Sequence, residues 1–228
     1  MRIELIDSVD STNEYVKKYL SAGENVIVCA RVQTGGKGTK GRSFLSNEGG
    51  VYLSALAFYE NLPAAGAFRV MAHAAVSVCK TAESFGLTPE IKWPNDVFLN
   101  GAKLSGILIE NGFSGDKLKW SIVGIGVNAE NDLSGLGGIA VSLSEASSRR
   151  ITAAEAREAL IHNYCKQSSF EEYLNRVRFL GKTVQVTEGE RSYGAIARRV
   201  LPDGRLEIEE GDCVRALSSA EISLKLGG

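Results

Sequence analysis

The stretch Gln33-Thr34-Gly35-Gly36-Lys37-Gly38-Thr39-Lys40-Gly41-Arg42, read together with the residues just after it, separates the fold classes open to this chain. Gly36, Gly38 and Gly41 interleave with Lys37, Lys40 and Arg42, so backbone can close around an anion while side chains neutralise it. The same glycines satisfy G-x-G-x-x-G, a dinucleotide fingerprint that requires a helix directly after them. No helix is signalled. Ser43-Phe44-Leu45 and Gly49-Gly50 lead instead into Val51-Tyr52-Leu53-Ser54-Ala55-Leu56-Ala57-Phe58, which reads as a strand. Val26 to Val32 upstream is a β-branched run and a second strand. A loop that joins two strands argues against a dinucleotide fold. Nor does it end in Gly-Lys-Ser/Thr as a Walker loop does, and a kinase loop needs valine where Ser43 stands. A basic exposed hairpin with no ligand is the plain alternative.

Toward the N-terminus, Arg2 to Ile6 reads as a strand, and Ser11 with Glu14 offers a capping box for a helix to about Leu20, closed by Gly23. Pro63 to Phe85 is alanine-rich and apolar around much of its circumference, as in a helix buried against a sheet. Glu90 to Trp93 is a strand stopped by Pro94, and Asn100-Gly101 marks a hairpin between Val97-Phe98-Leu99 and Leu104 to Glu110. A further strand covers Leu118 to Val127. Residues 131–150, rich in Gly and Ser, are expected to form a mobile surface segment. Thr152 and Glu155 offer another capping box, opening a helix that runs to about Phe179 with a break near Gln167-Ser168-Ser169.

At Gly181 the character changes to short alternating strands, punctuated by Pro202-Asp203-Gly204. The expected fold is α+β: a mixed sheet with helices packed on one face over residues 1–180, then a small β-barrel over 181–228. So small an appendage has little core of its own.

A formal net charge of −1 provides no global basic field for nucleic acid. Cys29, Cys79, Cys165 and Cys213 are scattered singly, without CxxC or zinc spacing, and read as buried free thiols of a reducing compartment. The first seven residues alternate in polarity, unlike a signal peptide, and no apolar run approaches the ~20 residues of a membrane span. The expectation is a cytoplasmic protein.

Other constellations strengthen the anion reading. Lys92-Trp93-Pro94-Asn95-Asp96 packs a cation, an aromatic, a rigid turn, an amide and a carboxylate into five residues. Lys103-Leu104-Ser105-Gly106 comes next, with its lysine inside an apolar run. Such a lysine is costly to bury unless it meets an anion, although an outward-facing edge lysine would fit the same spacing. Gly124-Ile125-Gly126-Val127-Asn128 ends a strand with small residues and an amide, as in a cavity wall or merely tight packing.

Together with Asp10-Ser11-Thr12-Asn13, Gln33-Thr34 and Glu221-Ile222-Ser223-Leu224, these segments resemble, in their order and over nearly the whole chain, the biotin protein ligase family. Lys92 to Asp96 followed by K-L-x-G-I-L is the most specific part. The resemblance implies a class II synthetase-like catalytic domain with a small SH3-like C-terminal barrel. It also implies a two-step reaction in which biotin and ATP form biotinyl-adenylate, with Mg²⁺, before transfer to a lysine of a carrier domain. That carrier belongs to a carboxylase or decarboxylase subunit. Ser11, Thr12, Asn13, Gln33, Lys37, Gly38, Thr39, Lys103 and Gly106 would receive biotin. Gly36, Lys40, Gly41, Arg42, Trp93, Asn95, Asp96, Asn128, Glu221 and Lys225 would receive ATP. Lys103, Lys37 and Lys40 would be the catalytic cations, and Asp96 the metal ligand.

Two departures from the family pattern stand out. Its loop is usually G-R-G-R-x-G-R; here Lys37 replaces one arginine and Thr39 another, which implies weaker retention of the adenylate or compensation by Lys40. The Ser-Thr-Asn motif begins at residue 11, leaving no room for the helix-turn-helix of repressor members, so DNA is not an expected partner. A homodimer is compatible with a free sheet edge. The competing functions are a lipoate or octanoate transferase on the same fold, and a biotin- or nucleotide-binding module with weak catalysis.

Overall fold

Alternating burial in β2 (Val26–Gln33) sets the two faces of the main sheet. Ile27 and Cys29 enter a large core beneath one face, whereas Val26 and Val28 enter a small cluster on the other, as the period of a strand requires. The computed structural model describes residues 2–218 and the backbone of 222–226. β1 (Arg2–Val9) runs parallel to β2. The other described strands of this sheet, β3 (Gly50–Pro63), β4 (Glu90–Lys92), β5 (Asp96–Leu99), β6 (Ala102–Ser114) and β7 (Lys117–Asn128), pair antiparallel in the order β1-β2-β3-β7-β6-β5-β4. The sheet is mixed, as expected. Asn100 and Gly101 both take positive φ (51° and 81°) at the β5–β6 turn, the geometry that Asn-Gly permits at low cost.

The long helices cover one face. In α2 (Phe68–Ser84) the alanines let the helix settle against the sheet, with Ala74, Ala75, Val76 and Val78 fully buried. Each fully buried valine or leucine of this layer contributes about 1.5–3 kcal/mol. α4 (Ala153–Tyr164) and α5 (Phe170–Leu174) pack beside it. The capping box of Thr152 and Glu155 is present, and Ser169 with Glu172 makes another at the break. The short α1 (Thr12–Val16) lies over the opposite face, where Val16 completes the small cluster.

Three local expectations are corrected. Ser11 takes extended N-cap geometry but its hydroxyl makes no cap, and the Glu14 carboxylate, the other half of the box, is drawn instead to Lys17 and Lys37. The residues 131–150 are not a free surface segment. Lys103 N–H donates to Ile139 O and Val141 N–H to Lys103 O, each at 3.0 Å, and Leu133 and Leu143 are buried. A third capping box, Ser142 with Glu145, opens α3 (Leu143–Ala146) there. Of the cysteines, Cys29 and Cys79 are buried as expected, while Cys165 and Cys213 are exposed; all four are free.

The second sheet comprises β8 (Thr183–Glu188), β9 (Arg191–Val200), β10 (Leu206–Glu210), β11 (Cys213–Leu217) and β12 (Ile222–Leu226), in the order β11-β10-β9-β8-β12. Its inward residues Val184, Val186, Ala197, Leu206 and Ile208 belong to the same hydrophobic cluster as the main sheet. A unit too small for a core of its own thus shares one.

Candidate active site

Strand register creates the site. Ser54 on β3 pairs with Gly124 on β7, which pairs with Leu108 on β6; one row along, Gly126 pairs with Gly106. Leu56 and Ile122, the neighbouring pair, belong to the cluster beneath α1, so this is the α1 face. The glycines hollow it out. A Cβ at Gly124 would strike the side-chain oxygen of Asn13, one at Gly126 the ring of Phe44, and one at Gly106 the Lys103 side chain. The small residues of Gly124 to Gly126 therefore serve both tight packing and a cavity wall.

Above the hollow, the first turn of α1 supplies a polar floor. Ser11, Thr12 and Asn13 are each under 5% exposed. Thr12 N–H donates to Gln33 Oε1 at 2.8 Å, and Asn13 Nδ2 donates to Glu110 Oε1 at 3.1 Å. Ser54 Oγ lies 2.6 Å from Asn13 Oδ1 and 2.7 Å from Thr12 Oγ1, which in turn is 2.9 Å from Gln33 Oε1. Two hydroxyl protons must serve three oxygen–oxygen contacts. The network is thus rich in acceptors, suited to a ligand that brings N–H donors.

The glycine loop forms one wall as a small hairpin. Phe44 N–H donates to Gly36 O at 2.9 Å, Lys37 bridges to Ser43, and Gly38 N–H donates to Arg42 O at 2.6 Å. At its tip Lys40 and Gly41 take positive φ. Lys37 Nζ lies 2.7 Å from Glu14 Oε1, and the charges continue as Glu14–Lys17 (2.9 Å) and Lys17–Glu110 (2.8 Å). An alternating chain thus runs from the loop to the carboxylate that holds Asn13. The hydrogen bond from Lys37, then that from Lys17, keeps the Glu14 carboxyl below its ordinary range.

The hairpin of β5 and β6 supplies the opposing cation. Lys103 Nζ lies 2.8 Å from Asp96 Oδ1, off the line that a hydrogen bond requires, so this buried oxygen is charge-paired but has no hydrogen-bond partner. Lys103, Asn95, Gly106, Gln33, Lys37, Gly38, Thr39 and Arg42 join the α1 residues around a cavity of about 240 Å³. An adjoining cavity of about 520 Å³ is lined by Gly36, Asn128, Leu136 and Ala140, and shares Gln33, Phe44, Lys103 and Ile139 with the first. Asn128 donates to Lys103 O at 3.3 Å and accepts from Asn131.

Several expected residues stand elsewhere. Trp93 is 4% exposed, and its Nε1 donates to Gly204 O at 2.8 Å. It ties the second sheet to the first and lines neither cavity, because burial takes its ring into the shared core. Lys40 and Gly41, at the exposed hairpin tip, also line neither cavity. Asn95 reaches the cavity, yet its amide is already committed to Ile107 O at 2.9 Å, bracing the turn. Lys225 falls in β12, which pairs with β8, and Glu221 lies outside the described residues. Sequence reasoning missed Phe44, Ser54, Glu110 and Ile139. Only Phe44, an aromatic directly after the loop, carried any local cue.

The profile of the family described as Biotin/lipoate A/B protein ligase matches residues 5–128. The bifunctional ligase/repressor BirA of Bacillus subtilis (strain 168) is 30% identical over 223 residues, which span 90% of this chain and 67% of that protein. The biotin--[acetyl-CoA-carboxylase] ligase of Paracoccus denitrificans is 34% identical over 131 residues, 54% of this chain and 53% of that protein. Among solved structures, the biotin protein ligase from Aquifex aeolicus in complex with biotin and ATP matches with a TM-score of 0.76 at 27% identity, over 99% of each chain.

Proposed function

The chain belongs to the biotin/lipoate A/B protein ligase family, and on that basis we propose that it attaches biotin to a lysine of a carrier domain, using ATP and passing through biotinyl-adenylate. The observation that carries this reading is the acceptor-rich floor of Thr12, Asn13 and Gln33, braced from behind by the buried Ser54, in the same cavity as Lys103 and beside a second compartment. The ureido N–H groups of biotin meet that floor, and Lys37, Gly38 and Thr39 close over the ligand. The nucleotide occupies the second compartment, along Gly36, Phe44 and Asn128. That a relative of 27% identity binds biotin and ATP together supports the pairing of compartments.

In the first step a biotin carboxylate oxygen bonds to the α-phosphorus and the bond to pyrophosphate breaks. Lys103, released from Asp96, offsets charge on both reacting groups. In the second step the carrier amine, arriving deprotonated, attacks the acyl carbon; the bond to AMP breaks and a proton leaves the new amide. That step needs mainly positioning, since the acyl group is already activated.

Asp96 lines neither cavity, but its buried Oδ1, charge-paired with Lys103 and without a hydrogen-bond partner, would be open to Mg²⁺ once Lys103 turns to the ligand. No cluster of three metal-ligating side chains exists among the described residues, so Asp96 would hold the ion jointly with phosphate oxygens, as Mg²⁺ usually is held. When bound, the ion would neutralise charge on the leaving pyrophosphate.

A lipoate or octanoate substrate is disfavoured, because an apolar chain would leave the acceptors of the floor unpaired. The carrier is taken to belong to a carboxylase or decarboxylase, and the four free cysteines support a reducing cytoplasm. The test is biotin-dependent exchange of labelled pyrophosphate into ATP with purified chain and Mg²⁺, then transfer of labelled biotin to a carrier domain. Exchange with biotin but not lipoate is expected. Binding of biotin without exchange would favour a binding module, and exchange with lipoate alone would overturn the substrate.

A further inference from the structure

Thr39 carries no charge, yet it stands where the loop meets the cavity, and its contacts are unusual for a loop threonine. Arg42 donates from Nε to Thr39 O at 3.2 Å and from Nη2 to Thr39 Oγ1 at 3.0 Å. Its backbone N–H also donates to Thr39 O at 3.3 Å. The positive φ of Lys40 and Gly41 makes the turn that brings residues 39 and 42 face to face. Thr39 therefore grips one edge of the guanidinium with two oxygens. Three of the five N–H donors, including those on the outer edge between Nη1 and Nη2, are left for another partner. That edge matches a carboxylate or phosphate bidentately, as an ammonium cannot.

The other cations of this cavity are engaged differently. Lys37 is paired with Glu14, and Lys103 with Asp96. Arg42 has no carboxylate partner among the described residues, although it lines the same cavity. The geometry points to Thr39 as a positioning residue. Its hydroxyl and carbonyl orient Arg42 so that the free edge of the guanidinium holds the nucleotide's α-phosphate where it enters the first cavity beside Lys103, the cation common to both compartments. This deepens the reading of the site as nucleotide-activating and rests on it. It also replaces Lys40 as the compensation for the missing loop arginine.

The test compares Thr39→Val with Thr39→Ser, by calorimetric titration of ATP into the full chain with biotin present. Valine keeps the carbonyl and the β-branched shape but loses the oxygen that Nη2 reaches; serine keeps that oxygen. Thr39→Val is expected to weaken ATP binding about fivefold, the worth of one ordinary hydrogen bond. Thr39→Ser is expected to stay within about twofold of the parent. The thermal midpoint should not move in either variant. With Arg42→Ala as background, Thr39→Val should add nothing, because its effect passes through Arg42. Equal ATP affinity for Thr39→Val and the parent would overturn the assignment, as would a Thr39→Ser variant as weak as Thr39→Val. Pyrophosphate exchange by the parent separates the two claims. A parent that binds ATP but does not exchange would sink the ligase reading and leave Arg42 orientation standing. Exchange with no valine effect would do the reverse, and a parent that binds no ATP would remove both.

Discussion

The glycine loop and the β5–β6 hairpin each bring a lysine beside a glycine to the same cavity, and they hold it by different means. Lys103 sits on β6, paired with Phe98 on β5 and bridged to Ala140, with its side chain 30% exposed against Asp96. Lys37 sits on a hairpin whose own backbone bonds close it on itself; its side chain is 54% exposed, and the pair with Glu14 ties it to α1. Packed strands fix a charge to within fractions of an ångström, whereas an exposed ion pair contributes about 0–1 kcal/mol. The rate of the chemical step should therefore depend on the hairpin. Retention of ligands should depend on the loop.

This contrast stands or falls first at Lys103. Lys103→Met should lower pyrophosphate exchange by about 10²- to 10³-fold, the usual cost of a preorganised charge at the reacting centre. A loss below tenfold would move the catalytic charge to the loop. Gly124→Ala comes next. Its Cβ would displace Asn13 and break the contact with Ser54, raising the biotin dissociation constant about ten- to a hundredfold, read by calorimetry. Unchanged biotin affinity would mean that the floor is not the ureido site.

Trp93→Phe tests whether the hairpin's aromatic serves the nucleotide or the fold. Loss of the bond to Gly204 should cost about 1–2 kcal/mol, or about 3–6 °C in thermal midpoint, with the ATP affinity unchanged. The smallest effect belongs to Glu14→Gln: under about 0.5 kcal/mol of stability, with faster release of the adenylate in a chase experiment. Because the folded pKa of Glu14 is depressed, its ties to Lys37 and Lys17 are fully present above the ordinary 4.5 and are lost only as pH falls through the lower folded value. Release rates in the parent should therefore be flat from neutrality to about pH 5 on this account. A rise within that window would assign the latch to another group.

Much of the frame was legible locally. Asn100-Gly101 allows little but a two-residue hairpin, Val26 to Val32 alternates between two cores, and the strand after the glycine loop ruled out a dinucleotide fold. Charged and glycine-rich segments pointed to an anion site, and most of the residues they named do line the two cavities. The failures share a cause. Ser11 as a cap was a reasonable local inference, but its hydroxyl caps nothing, and Glu14 found partners in Lys17, just past α1, and in Lys37 of the loop. Trp93 sat in the most informative motif of the chain and served a contact 111 residues away.

Local sequence was enough for the order of strands and helices, the turn chemistry and the residue types from which an anion site could be built, because those follow from backbone preference and side-chain period within a few residues. Which face of the sheet became the site was settled by the fold. It hollowed that face at Gly106, Gly124 and Gly126, and brought Ser54 and Glu110 beneath α1. It also gave Arg42 to Thr39 and Trp93 to Gly204. Those outcomes depend on strand register and on competition for hydrogen-bond partners, which no local stretch of chain encodes.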